Sequence, residues 1–152
     1  MTRVYDHLNS KYPNQVSYLP MDGFHYYRAE LDQFPDPEQA HLRRGAPHTF
    51  DANKFKQVLQ RAKFQVEEDV YAPGFDHSVK DPEPNAHCIA KESRLVLVEG
   101  NYLLYNEEDW QGVKELFDEV WYLDTVTVEQ AMDRVMVRQI QEIGRNEQEA
   151  KR

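Results

Sequence analysis

The sequence lacks most of what stabilises secreted or membrane-embedded chains. It has one cysteine, Cys88, so no internal disulfide can form. No apolar run approaches the roughly 20 residues that a membrane-spanning helix needs. After Met1-Thr2-Arg3 comes a polar helical pattern, without the apolar stretch of a secretory signal. A reducing, cytoplasmic setting is the expectation. Basic residues are also short: 18 Lys and Arg stand against 27 Asp and Glu, a net charge of -9. That balance argues against nucleic acid or an anionic membrane as partner, since either calls for a basic face. The six histidines show no metal-ligand spacing such as HExxH, which argues against zinc. There is no internal repeat, low-complexity tract or interdomain linker.

What is present suits one globular domain over residues 1–152, with 40% hydrophobic and 30% charged residues. The organising stretch is Gln15 to His25, QVSYLPMDGFH. Val16, Tyr18 and Leu19 give it strand character, and Pro20 and Gly23 stop it. Asp22 and His25 are thereby delivered to a loop at the carboxyl end of the sheet, where open α/β folds bind ligands. A carboxylate there is a candidate general base; the plainer alternative is that Asp-Gly only makes a turn.

Around that strand, Thr2 to Asn9 reads as the back half of a helix, with Val4 and Leu8 at helical spacing. Asp36-Pro37 caps a short helix ended by Gly45, and Thr49-Phe50-Asp51 opens a longer one with Phe55, Val58, Leu59, Ala62 and Val66 on one face. Tyr71 to Pro84, dense in Pro, Gly, Asp and His, reads as a long ligand-touching loop. The run Leu95 to Val98 predicts a strand covered on both faces and ending at Glu99, beside Asp22. A helix capped by Asn106 follows, with Trp110, Val113, Leu116 and Phe117 inward. A third strand is expected over Glu119 to Leu123, and Thr127 with Gln130 forms a capping box for a last helix. The alternation predicts an α/β fold, a parallel sheet with helices on both faces.

Two strands ending in carboxylates, Asp22 and Glu99, match what metal-assisted phosphoryl transfer needs: one acid for the acceptor hydroxyl's proton, one to hold Mg²⁺ through its water shell. Arg43, Arg44, Arg134 and Arg138 are candidates for answering phosphate charge, although helical arginines are commonly solvated or paired with nearby acids. His25 and His77 each follow a loop aromatic and are candidates for bonding a substrate hydroxyl.

Four blocks, PMDGFH, DPEQAHLRRGAPHTFD, APGFDHSVKDP and RLVLVEGNYLL, in this order, resemble the phosphoribulokinase/uridine kinase/pantothenate kinase group of P-loop kinases. The nearest likeness is to a nucleoside/nucleotide kinase-like branch, over about Gln15 to Arg152. The resemblance implies a P-loop NTPase-like three-layer fold, ATP and Mg²⁺ as cofactors, and transfer of the γ-phosphate to a hydroxyl of a small nucleoside-, sugar- or pantothenate-like acceptor. It implies Asp22 as base and Glu99 as the Walker B acid for Mg²⁺. Arg43, Arg44, Phe75, Asp76, His77, Lys80 and Asp81 would line the acceptor pocket, and His25 is counted with them as a substrate-binding candidate. The helix from Val128 would be a lid carrying Arg134 and Arg138.

The group's glycine-rich GxxxxGK[ST] loop has no counterpart in this sequence, so the residues that would cradle ATP phosphates are unknown. In the lid, Gln139 stands where relatives carry histidine. Thr2 to Asn9 aligns with the tail of the helix after that loop, and the chain ends just past the lid. The expected fold is therefore incomplete, without the first strand, the P-loop or the C-terminal strand. The favoured explanation is a fragment or shortened gene product, over a rearranged fold or a partner that supplies the missing strand, and the open sheet edge would allow self-association. The alternative function is a non-catalytic pseudokinase or binding module.

Overall fold

Two aliphatic runs make a parallel pair in the computed structural model, which describes residues 1–65, 67–124 and 126–141 in two units, Met1–Asp118 and Glu119–Arg152. Strand β1 (Val16–Pro20) lies beside β4 (Leu95–Glu99) in a register that sets Val16 against Leu95 and Pro20 against Glu99. The two strands therefore end at the same level. Gly100 lets their exits come close: a Cβ there would lie 2.5 Å from that of Met21. The predicted cover over both faces of β4 is incomplete, since Leu95 is 43% exposed and Val96 to Val98 are half-buried.

Ahead of β1 runs α1 (Thr2–Lys11), as the spacing of Val4 and Leu8 predicts. After β1 the chain makes a one-turn 3-10 segment, Met21–Phe24, then α2 (Arg28–Leu31) and α3 (Pro37–Leu42). Asp36 caps α3, accepting from the Gln39 N–H at 3.0 Å. Asp51 likewise caps α4 (Ala52–Phe64), accepting from the Lys54 N–H at 2.8 Å. The predicted inward face of α4 holds for Phe55, Val58 and Leu59, which are buried, and Ala62, which packs against the core; Val66 lies outside the described residues. The core joins this face to Leu19, Met21, Phe24, Phe50, Trp110 and Val113. Phe24 and Phe55 meet edge to face at 4.9 Å.

Three expectations are corrected. The segment Tyr71 to Pro84 is no loop but most of an antiparallel hairpin, β2 (Val70–Asp76) and β3 (Asp81–Ile89), with a register shift between Ala72 and Gly74. Pro73, Pro82 and Pro84 fit because a two-stranded ribbon has an unpaired edge on each strand, where a missing N–H breaks no ladder bond. The helix expected after Asn106 is instead two one-turn 3-10 segments, Glu108–Trp110 and Lys114–Leu116. Gly112 between them, at φ +83°, cannot continue a right-handed helix. Trp110 and Val113 still point inward.

The third correction concerns Glu119 to Leu123, which forms no strand. A strand exists only as one side of a ladder, and the described residues of the second unit contain no other strand to pair with it. That unit does contain α5 (Val128–Gln141), and the predicted capping box is present: Thr127 Oγ1 accepts from the Gln130 N–H at 3.3 Å and Gln130 Oε1 from the Thr127 N–H at 3.1 Å. Among the described residues no helix is long and apolar enough to cross a membrane.

Candidate active site

The site begins where β1 stops. Pro20 ends the strand opposite Glu99, and the 3-10 turn that follows exposes the Asp22 side chain while burying Met21, Gly23 and Phe24. Gly23 is required by space: a Cβ there would sit 2.0 Å from the Pro73 carbonyl oxygen, so the turn lies directly on the β2 backbone. Asp22 and Glu99 both act on one phenol. Tyr18 donates to Glu99 Oε2 at 2.7 Å, and its pKa is pushed far above the ordinary 10.0 by burial first, then by the hydrogen bond and charge of Glu99 and the charge of Asp22. Glu99 is thus held by one oxygen, with Oε1 left over.

A second cluster adjoins the same turn. His25 stacks between Phe50, at 3.9 Å between ring centres, and Phe75, at 4.8 Å. Its Nδ1 donates to the Asp22 carbonyl at 2.7 Å, so a neutral His25 carries its lone pair on Nε2. Burial lowers the His25 pKa, and the charges of Arg44 and His77 push the same way, while the contact with Asp22 opposes them. Phe75 also meets His77 edge-on at 5.2 Å.

Arg44 ties this cluster together. Its guanidinium lies 5.6 Å from the Phe75 ring centre and donates to Asp81 Oδ1 at 2.9 Å, to the Tyr26 carbonyl at 2.8 Å and to the Lys80 carbonyl. Asp81 Oδ1 also accepts from the Arg28 N–H at 2.9 Å, at the start of α2. Arg44 Nε is buried with no hydrogen-bond partner among the described residues. The arginine therefore fastens the base of the hairpin turn to the segment after β1, with its charge already matched by Asp81.

The structure thus brings His25, Arg44, Phe75, His77, Lys80 and Asp81 together. Asp76 is occupied differently: its Oδ1 accepts from the Ser78 hydroxyl at 2.6 Å and the Ser78 N–H at 2.7 Å, bonds that lower its pKa and close the hairpin turn. The Arg43 side chain is exposed and makes no hydrogen bond or ion pair among the described residues, and Lys80 is exposed at φ +59°. Arg134 and Arg138 lie on α5, in the second unit. Two residues were missed in the sequence. Tyr18 has a signal there, a polar-tipped aromatic inside a strand, whose hydroxyl needs a partner when half-buried. Phe50 has none, because a helix-entry aromatic is ordinarily read as core.

No family model matches this chain. It is similar to the ATP-dependent kinase YFH7 of Saccharomyces cerevisiae, 37% identical over 160 residues, covering 84% of this chain and 45% of that protein. It is 43% identical over 108 residues to a candidate uridine kinase, C227.14, of Schizosaccharomyces pombe, covering 71% of this chain and 46% of that protein. The chain thus spans about half the length of the curated relatives it matches. Among solved structures, that of yeast YFH7, a candidate P-loop-containing kinase with a circular permutation, superposes with a TM-score of 0.76 at 35% identity, over 90% of this chain and 50% of that one. A candidate fructose transport system kinase from Silicibacter also superposes with a TM-score of 0.76, at 27% identity, over 98% of this chain and 70% of that one. The strand ends, the carboxylates and these likenesses agree, and the chain belongs to the P-loop kinases of the phosphoribulokinase/uridine kinase/pantothenate kinase group.

Proposed function

We propose that these residues form the acceptor and base portion of an ATP-dependent small-molecule kinase, which transfers the γ-phosphoryl group of ATP to a hydroxyl. The observation that carries the reading is the common end of β1 and β4, where Asp22 and Glu99 both bear on Tyr18. In this role the Asp22 carboxylate takes the proton of the attacking hydroxyl as its oxygen bonds to the γ-phosphorus and the bond from that phosphorus to the departing ADP breaks. His25, through Nε2, accepts a hydrogen bond from the acceptor, and Phe75 and His77 give it an aromatic wall. Arg43 and Lys80 answer anionic groups, and Arg134 and Arg138 offset charge on the transferred phosphoryl group from the α5 lid.

The donor set suits Mg²⁺. That ion takes one or two carboxylates, with water and substrate phosphates completing its shell. Among the described residues no cluster of three ligating side chains exists that would suit zinc. Glu99 would hold the ion through Oε1 or an intervening water, with Tyr18 fixing its other oxygen. Bound Mg²⁺ would supply charge neutralisation at the phosphates.

The acceptor is nucleoside-like first, because one relative is a candidate uridine kinase, with sugar and pantothenate-like alcohols next. A reducing, cytoplasmic setting suits the single Cys88. Among the described residues the β1–β4 pair has an open edge, which a second copy or a partner strand would extend.

The alternative reading is an acceptor-binding module without turnover. The two are separated by joining a relative's strand and P-loop to the N-terminus, then measuring Mg-ATP binding by calorimetry and phosphoryl transfer to a panel of alcohols. The kinase reading expects turnover that Asp22→Asn abolishes with ATP binding intact. Turnover indifferent to Asp22→Asn removes the base; ATP and acceptor binding without turnover establishes the module.

A further inference from the structure

A cavity of about 310 Å³ lies between α4 and the β2–β3 hairpin, lined by none of the residues assigned to the kinase site. Its helical wall is Lys54, Gln57 and Arg61. Positions 54, 57 and 61 are spaced three and four apart, so one face of α4 presents two cations with an amide between them. The facing wall is Tyr71 and Pro73 from β2 with Pro84 and Asn85 from β3, and Tyr27 completes the lining.

The charge here runs against the rest of the molecule. The chain carries 27 acidic residues to 18 basic ones, yet no acidic residue lines this cavity. Neither Lys54 nor Arg61 has an ion-pair partner among the described residues, whereas Arg44 and Lys63 are both paired. Two unpaired cations seven residues apart repel each other slightly, and an anion between them removes that cost. Apart from Asn85, the rest of the lining is flat or apolar: two tyrosine rings, two prolines and Val58. The volume is at the lower end for small-molecule pockets, about 300 Å³ upward.

From these features we infer a second ligand site, for a small organic anion that carries a planar ring. Its phosphate or carboxylate would lie between the Lys54 ammonium and the Arg61 guanidinium, with Gln57 donating an N–H. The ring would lie along Tyr71 and the prolines. The inference does not depend on the kinase reading, because no residue is shared with that site.

The probe is phenyl phosphate, titrated into the intact chain and followed by ¹H–¹⁵N NMR, with benzoate, inorganic phosphate and benzyl alcohol run in parallel. Saturable shifts at Lys54, Arg61 and Tyr71 are expected with phenyl phosphate or benzoate. Binding weakens at least tenfold in the Lys54→Gln/Arg61→Gln variant, whose substitutions are on exposed side chains and leave the thermal midpoint unchanged. Tyr71→Ala weakens phenyl phosphate and leaves the weaker inorganic phosphate contact as it was. Benzyl alcohol binding as well as phenyl phosphate would overturn the anionic assignment. Inorganic phosphate binding equally well would overturn the ring. Shifts confined to Asp22 and Glu99, or unaffected by the double variant, would overturn the site itself.

Discussion

The Tyr18 hydroxyl donates to Glu99 Oε2 at 2.7 Å, joining by side chains two strands that already pair through their backbones. The bond is to a carboxylate and partly sheltered, so it is stronger than a neutral one, although solvent at Glu99 moderates it. Tyr18→Phe should cost about 1 kcal/mol in urea unfolding.

The same contact fixes a behaviour at high pH. Because the folded-state pKa of Tyr18 is raised above its ordinary 10.0, folding holds this proton more tightly than the unfolded chain does. The resulting stability is fully present below pH 10.0 and falls as pH rises above it. Ultraviolet titration should find Tyr18 the last of the nine tyrosines to ionise, after Tyr26, Tyr71 and Tyr102, which are also raised, and Tyr18→Phe should remove that late step. A wild-type titration with no late tyrosine would contradict the contact.

Arg44 and Asp81 are 15% and 29% exposed in their side chains, so losing the arginine strands a partly desolvated carboxylate. Arg44→Ala should destabilise the fold by about 2 kcal/mol, and Arg44→Lys should recover less than half of that, because an ammonium cannot reach Asp81 and two carbonyls in one plane. Chemical denaturation of both variants measures it. Equal stability of Arg44→Lys and wild type would reduce Arg44 to a point charge.

Much of this was legible in the sequence where one local rule acts alone. The strand through Val16 to Pro20, the caps Asp36 and Asp51, and the Thr127–Gln130 box follow from period, proline and side-chain oxygens within four residues. Where neighbours in space decide, the reading failed. Pro73, Pro82 and Pro84 read as loop because nothing local reveals that, among the described residues, their strands pair only with each other. Glu119 to Leu123 has the residues of a strand, but pairing needs a second strand that composition cannot supply. In the site, Asp22, His25 and Glu99 are announced by strand ends, whereas the link through Tyr18 depends on register.

Gly23 and Gly45 are glycines for different reasons, and alanine should separate them. At Gly23 the added Cβ would lie 2.0 Å from the Pro73 carbonyl oxygen, and backbone on both sides must move. The expected loss is about 3 kcal/mol, with the Asp22 turn displaced. At Gly45 nothing lies within 4 Å of the added Cβ, but φ is +107°, so the cost is conformational strain of about 1 kcal/mol. Thermal unfolding of the two variants should rank them in that order; the reverse would mean that the turn does not rest on β2.

His25 should respond to acid in the opposite sense to Tyr18. Burial among Phe50 and Phe75 lowers its folded-state pKa below the ordinary 6.5, so the unfolded chain takes up the proton first as pH falls. The stability linked to this group is fully present above pH 6.5 and is lost as pH falls from there through the depressed folded value. By ¹H NMR, the His25 ring should titrate below 6.5, the ordinary value for histidine. Phe75→Ala opens the ring to water and should move its pKa back up, narrowing the window of acid loss. If His25 instead titrates at or above 6.5, the imidazole is already open to solvent, and the neutral Nε2 acceptor assigned to it would be absent at the lower end of the neutral range.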